Sequence, residues 1–333
     1  MPEAPRRVTI TDVARTAGVS LSTVSRVMNG NATVDPVLAE RVRGVAAELG
    51  YSASPLARSL VLGRTSTVAV VIPDLANPTF QGILRGLSRA AAADGFHVLI
   101  ADSAEQVDEE RVLAVETRRR TDGVILCAPR MAQDELAVLL PSLSPVVVVN
   151  RAPQAGVPVV NADYRTALRG LAEHLYDLGH RRIVFLAGVA RSASNAARLA
   201  AIADARAAHS DLTVIELPSG VDFNSGAAAA DAVIKTGATA VLAFNDLVAM
   251  GLMSTLAGRG VRVPEHVSVA GFDDIPFAAY TSPPLTTAAV PAADLGAQAW
   301  AAMHALLTGQ TPSPIVTTNP EVVVRGSTAA AAS

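Results

Sequence analysis

One cysteine, one lysine and no long apolar run distinguish this 333-residue chain. Cys127 has no partner for an intramolecular disulfide, and its setting, Gly123-Val-Ile-Leu-Cys-Ala, reads as a buried strand with an inert thiol. Lys235 is the sole lysine, so positive charge is carried by arginine; a GC-rich genome would give the same bias, and DNA affinity is not read from it. No window approaches the length of apolar sequence that a bilayer requires. Arg6 and Arg7 are not followed by the apolar run of an export signal, so a cytoplasmic protein is expected. H-E-x-x-H, G-x-x-x-x-G-K and G-x-S-x-G are all missing, and the six histidines are scattered without metal-ligand spacing. No enzyme, metal or cofactor is expected, and His180, in LGHRRI, is read as structural.

Half of the residues are hydrophobic, enough for most of the chain to fold, and the length suits two or three domains. The net charge of -3 is unevenly divided: up to Arg64 eight arginines face five acids, about +3, which leaves about -6 for the rest. Positive charge is concentrated where a nucleic-acid contact would need it.

Residues 8–29, VTITDVARTAGVSLSTVSRVMN, read as two short helices and a tight turn. Thr9 can cap the first, with Asp12 at its third position, and Gly18 stops it. Ser20 can cap the second, on which Val24, Val27 and Met28 share one stripe and Leu21, Ser22, Ser25, Arg26 and Asn29 the opposite one. A helical hairpin inside a core would show a similar alternation. Asp35-Pro36 then opens a third helix carrying Leu38, Val42, Val45 and Leu49 up to Gly50. That completes an all-α unit of about sixty residues with a helix-turn-helix pattern.

TITDVARTAGVSLSTVSRVMNG followed by ELGYSASPLARSL resembles the lactose-repressor (LacI/GalR) family of bacterial transcription factors, and the resemblance continues along nearly the whole chain. It implies a helix-turn-helix DNA-binding domain at residues 1–52, a hinge at 53–65 and a ligand-sensing, dimerising domain at 66–330. On the head, Leu21, Ser22 and Arg26 are expected at base edges and Asn29 and Thr23 nearer phosphates, with Thr9, Ser20 and Ser25 completing the candidate contact set. By itself YSASPLARSLVLGRT is either a linker or a helix too short to form without a partner. The family implies a hinge helix in which Leu60 wedges into the minor groove and Arg58 assists at phosphates.

From residue 67 the texture changes. Apolar, β-branched runs at 68–72, 97–101, 123–128 and 146–150 alternate with helix-length segments, and a second set follows at 182–187, 213–217, 240–244 and 267–271. The pattern predicts two doubly wound parallel sheets with ligand bound beyond their carboxyl ends. This architecture is similar to the periplasmic sugar-binding proteins. It implies three crossings, near 161, 289 and 318, giving an N-lobe of 66–161 and 290–317 and a C-lobe of 162–289 and 318–330.

Asp74-Leu-Ala-Asn-Pro-Thr-Phe is similar to the family's D-x-x-N-P-F-F, so Asp74, Asn77 and Phe80 become effector candidates, with Thr79 in place of the first aromatic. Asn150-Arg151 stands where relatives often carry Asp-Arg. Arg198, Asn245 and Asp273 match the family's clamp, its strand-end Asn-Asp and its G-[YF]-D-[DN]. Asp246 and Asp274 are assigned to capping and turns. Phe223 matches an aromatic that faces the ligand, although residues 198–226 are shorter than usual and Ala201 replaces a frequent glycine, which leaves altered or lost effector binding open.

The expected function is that of a homodimeric regulator, most readily a repressor, binding a palindromic operator under control of a small effector, by family default a carbohydrate. The chain ends in GSTAAAAS without leucine heptads, so the tetramerising tail of some relatives is expected to be absent. A transporter's solute receptor would have an export signal and no DNA-binding head, the opposite of what is found.

Overall fold

The computed structural model of the chain describes residues 8–28, 33–51 and 63–331. Two compact units result, Met1–Ser66 and Thr67–Ser333.

In the first unit, α1 (Ile10–Ala17), α2 (Leu21–Met28) and α3 (Pro36–Glu48) surround a small core. Asp12 accepts from both the backbone N–H (3.0 Å) and the hydroxyl (2.7 Å) of Thr9. Gly18, at φ +64°, ends α1 in a left-handed turn that an L side chain would strain. The Ser20 hydroxyl accepts from the Thr23 N–H at 3.1 Å, and Asp35 accepts from Val37 and Leu38 at 3.0 Å. Val13, Val24, Val27 and Val42 meet Ala14, Ala17, Ala39 and Ala46 in the interior. Leu38, Val45 and Leu49, expected as the buried stripe of α3, are only half-buried. The small Ala39 and Ala46 flank Val42 instead.

In the second unit the first sheet contains β1 (Thr67–Ile72), β2 (His97–Asp102), β3 (Gly123–Cys127), β4 (Val146–Val149), β5 (Val159–Ala162) and a late strand, Ile315–Thr318. All its pairings are parallel. Val68, Val70 and Ile72 turn to one face, beneath α4 (Pro78–Ala93) and a late helix, Ala292–Leu307; Ala69 and Val71 turn to the other, beneath α5 (Val107–Arg118) and α6 (Gln133–Leu139). Both faces are covered, which is why these strands read as continuous apolar runs.

The second sheet has β6 (Arg182–Ala187), β7 (Thr213–Pro218), β8 (Ala240–Ala243) and β9 (Ser268–Ala270), ordered β7-β6-β8-β9 and all parallel. Helices α7 (Tyr164–Asp177) and α8 (Ala193–Ala208) cover one side, and α9 (Phe223–Thr236) and α10 (Asp246–Gly258) the other. The chain leaves the first sheet after β5 and returns, past β10 (Thr287–Ala289), with α11 (Ala292–Leu307) and β11 (Ile315–Thr318). It leaves again for β12 (Glu321–Val323), which pairs antiparallel with β10. The first sheet's order is therefore β11-β5-β4-β3-β1-β2.

β5, β10, β11 and β12 are absent from the strand expectations. β4 and β5 pair in parallel across only residues 150–158, shorter than the dozen residues a parallel crossover usually takes. The late elements are short and find their partners far away in sequence. Helices α4 and α11 lie backbone to backbone: a Cβ on Gly86 would sit 1.9 Å from the Ala293 carbonyl, and one on Gly296 2.0 Å from that of Ile83. No helix among the described residues is long and apolar enough to cross a membrane.

Candidate functional site

The carboxyl ends of both sheets face one cleft, and the helices that follow the strands begin there. Asn77 caps α4, Asp163 α7, Ser192 α8, Asp222 α9 and Asn245 α10, each accepting a backbone N–H of the first turn. Capping thus explains much of the polar character at these strand ends. Two caps, Asn77 and Asn245, also line the cavity that the lobes enclose. Asn245 Nδ2 additionally donates to the Val221 carbonyl at 2.8 Å.

Arg198 is the centre of that cavity. Only 2 % exposed, its guanidinium carbon lies 4.1 Å from the Phe272 ring centroid, 4.4 Å from Phe244 and 4.6 Å from Tyr164. Its Nη2 is 3.7 Å from Asp273 Oδ1, while Nε and Nη1 have no protein hydrogen-bond partner. Burial lowers the Arg198 pKa, an effect that Asp273 opposes. Burial likewise pushes the Asp273 carboxyl up to about 6 against the pull of Arg198 and Thr79. Tyr164 is raised by burial and then by the Asp273 charge.

Asp273 has φ +108° and Asp274 φ +53°, a backbone arrangement that persists only where neighbours over-determine it. Here they do. Asp273 N–H donates to Ala288 O at 2.8 Å, and its carbonyl accepts from Val290 at 3.2 Å. Asp246, fully buried and with its pKa raised well by desolvation, accepts from the Ile275 N–H (2.8 Å) and the Thr287 hydroxyl (2.6 Å). It holds the loop that presents Asp273. Asp274 turns away to an ion pair with Arg325 at 2.7 Å.

Of the effector candidates, Asn77, Phe80, Asn150, Arg198, Asn245 and Asp273 line the cavity together. Three do not. Asp74 Oδ1 closes a local turn by accepting from the Ala76 N–H at 2.8 Å. Arg151 directs its guanidinium to the carbonyls of Pro129 (2.9 Å) and Met131 (2.5 Å), so it ties loops together. Phe223, 46 % exposed at the start of α9, points away; residues 219–222 instead bring Val221 to the cavity wall.

Lining residues missed in the sequence include Glu105, Arg130, Tyr164, Ser194 and Phe244. Glu105 and Arg130 form a two-armed pair, 2.7 Å in each arm, along the N-lobe rim. Tyr164 and Ser194 lie one and two residues after the caps Asp163 and Ser192; a search of first helical turns, rather than strand ends alone, would have found them. The cavity measures about 40 Å³, against the roughly 300–1,000 Å³ of typical ligand pockets. A groove of about 620 Å³ between α5 and α6 draws on one lobe alone, so a ligand there would not bridge the lobes.

On the three-helix unit, Leu21 is 50 % exposed, Ser22 and Arg26 are exposed, and Thr23 and Ser25 are half-buried on the outward side of α2. The Ser20 hydroxyl lies 2.8 Å from that of Ser22 and 2.9 Å from that of Thr23, and Thr9 is exposed at the start of α1. Asn29, Arg58 and Leu60, with most of the expected hinge, lie outside the described residues.

Residues 9–54 match the model of the lacI family of bacterial regulatory proteins, and residues 172–328 that of a periplasmic binding protein-like domain. The chain is 32% identical over 329 residues to the HTH-type transcriptional repressor CytR of Escherichia coli (strain K12), covering 97% of this chain and 96% of that one. The solved Lac repressor dimer bound to operator and the anti-inducer ONPF superimposes with a TM-score of 0.89 at 26% identity, over 98% of this chain and 100% of the other. The cellobiose complex of the transcriptional regulator CelR gives 0.70 at 28% identity, over 96% and 100%.

Proposed function

The chain belongs to the lacI family of bacterial regulatory proteins, and on that premise we propose a cytoplasmic, homodimeric repressor that binds a palindromic operator and answers to a carbohydrate held between its lobes. One observation carries this: the same chain has a helix-turn-helix with an exposed polar face on α2 and a buried, aromatic-walled cleft built from both lobes. The related structures named above hold operator DNA in one case and cellobiose in the other.

Two heads would place two copies of α2 in successive major grooves. Arg26 would read a guanine edge, Leu21 a thymine methyl, and Ser22 a further base edge. Thr9, Ser20, Thr23 and Ser25, with Asn29 and Arg58, would serve the backbone, and Leu60 the minor groove. In the cleft, the free Nε–H and Nη1–H of Arg198 suit hydroxyl oxygens, Asp273 suits hydroxyl donors, and Phe80 and Phe244 suit the apolar face of a sugar ring. A cavity of about 40 Å³ admits no sugar in this arrangement, so occupancy must move the lobes. Differential affinity for the two arrangements is what couples effector to DNA.

The test enriches random DNA duplexes on the purified protein and repeats the binding with a panel of pentoses, hexoses and disaccharides. A palindrome whose retention changes with one sugar is expected. Failure to enrich any sequence would overturn the proposal.

A further inference from the structure

Thr79, the second residue of α4, reaches across the cleft. Its hydroxyl donates to Asp273 Oδ2 at 2.8 Å, joining positions 194 residues apart in sequence and in different lobes. Thr79 as a residue and Asp273 in its side chain are each about 8 % exposed. The other carboxylate oxygen faces Arg198 at 3.7 Å, so both oxygens of Asp273 are engaged by the protein itself. Among the described residues one further polar contact spans the cleft nearby, Arg151 Nη1 to the Arg191 carbonyl at a longer 3.4 Å. Both are charge-assisted, through the Arg151 guanidinium and the Asp273 carboxylate, and of the two the Thr79 contact is much the shorter.

We propose that Thr79 is an internal latch and a specificity-determining residue: its hydroxyl takes the place on Asp273 that a ligand hydroxyl would take, and so holds the sensor closed on itself. A ligand then gains from Asp273 only by exchanging one hydroxyl for another. Its net advantage must come from what the latch leaves unmet, the two free N–H groups of Arg198. The latch therefore favours a ligand that presents acceptor oxygens to Arg198 over one that offers only a donor to Asp273. The position carries two demands, a donor hydroxyl and a small side chain. A larger apolar residue at the start of α4 would occupy the same space without bonding to the carboxylate.

The inference rests on the cleft being the effector site, yet its test needs neither effector nor DNA. Hydrogen exchange is followed on the full chain in buffer for wild type, Thr79→Val, Thr79→Ala and Thr79→Ser. Exchange at equilibrium scales with the open population even when that population is small. Loss of a hydrogen bond to a charged group should lower protection at least tenfold in the Val and Ala variants. The loss should appear at residues 76–80 and 272–276, and equally at 150–152 and 190–192, the segments around the other cleft-spanning contact, Arg151 to Arg191. The Ser variant should match wild type. Unchanged protection in Val and Ala overturns the proposal, as does a loss confined to 76–80 and 272–276, or a Ser variant that opens as Val does. A cleft that proves to bind no sugar would leave these rates untouched, so the two failures are separable.

Discussion

Removing Asp273 should damage the fold more than removing the arginine it faces. At 3.7 Å and an effective dielectric near 20, the pair's attraction is about 4 kcal/mol. Asp273→Ala leaves a guanidinium 2 % exposed, packed against three aromatic rings and without another ion-pair partner among the described residues. Arginine does not shed its proton to escape, and orphaning a buried charge costs roughly 3–5 kcal/mol. Arg198→Met is different. It leaves a carboxyl already pushed up to about 6, which can neutralise itself by binding a proton and keep its bond to Thr79. Methionine also refills the aromatic cage, so about 2 kcal/mol or less is expected. The double variant, Arg198→Met with Asp273→Ala, should accordingly be more stable than Asp273→Ala alone. Thermal unfolding at pH 7.5 and fixed protomer concentration reads this, with Asp273→Ala melting on the order of 10 °C below wild type. An Asp273→Ala protein within 2 °C of wild type, or one no worse than Arg198→Met, would refute the reasoning.

Three other outcomes follow from the same structure. Because the folded Asp273 pKa is raised above its ordinary value, binding a proton there favours the fold, and this proton-linked contribution, separate from the pairing with Arg198 that operates at pH 7.5, is fully present below about pH 3.8, the unfolded value, and disappears as pH rises through about 6. Wild type minus Asp273→Asn should therefore show its most favourable stability difference near pH 4 and a shrinking one toward pH 7 in parallel melts; a flat difference counts against the shift, and Asp246, present in both, largely cancels. Gly86→Ala, whose Cβ meets the Ala293 carbonyl at 1.9 Å, should cost at least about 1–3 kcal/mol, whereas Gly44→Ala, in α3 with nothing within 4 Å, should gain roughly 0.5–1 kcal/mol; equal melting shifts would contradict the helix contact. Arg26→Ala should relax discrimination at one base pair by ~1–3 kcal/mol when that base is varied in a binding series, and unchanged selectivity would remove Arg26 from the base-reading set.

The three-helix unit and the eight central strands are legible in the sequence because their signals are local: a cap, a glycine, a period of 3.6 or an unbroken apolar run each act over a few residues. Ser20 beside its turn and Asp35 before Pro36 are read directly. So are Arg198 and Asp273 as polar residues near a helix start and a strand end, through the motifs that contain them, and both line the cavity. Strands β5 and β11 are not, since one follows an unusually short parallel connection and the other pairs with a segment more than 150 residues earlier. Arg151, Phe223 and Asp74 lie one, two and three residues from the lining residues Asn150, Val221 and Asn77 yet do not line the cavity, because each step along a turn or a helix redirects the side chain. Glu105 meets Arg130 only once the first sheet has assembled, and Thr79 meets Asp273 only after the two sheets have folded and closed on each other. Local sequence thus determined which elements form and which residue types their ends carry. The tertiary structure alone decided which of those ends share a buried space, where low polarity turns an ordinary aspartate into one titrating near 6 and a threonine into its partner.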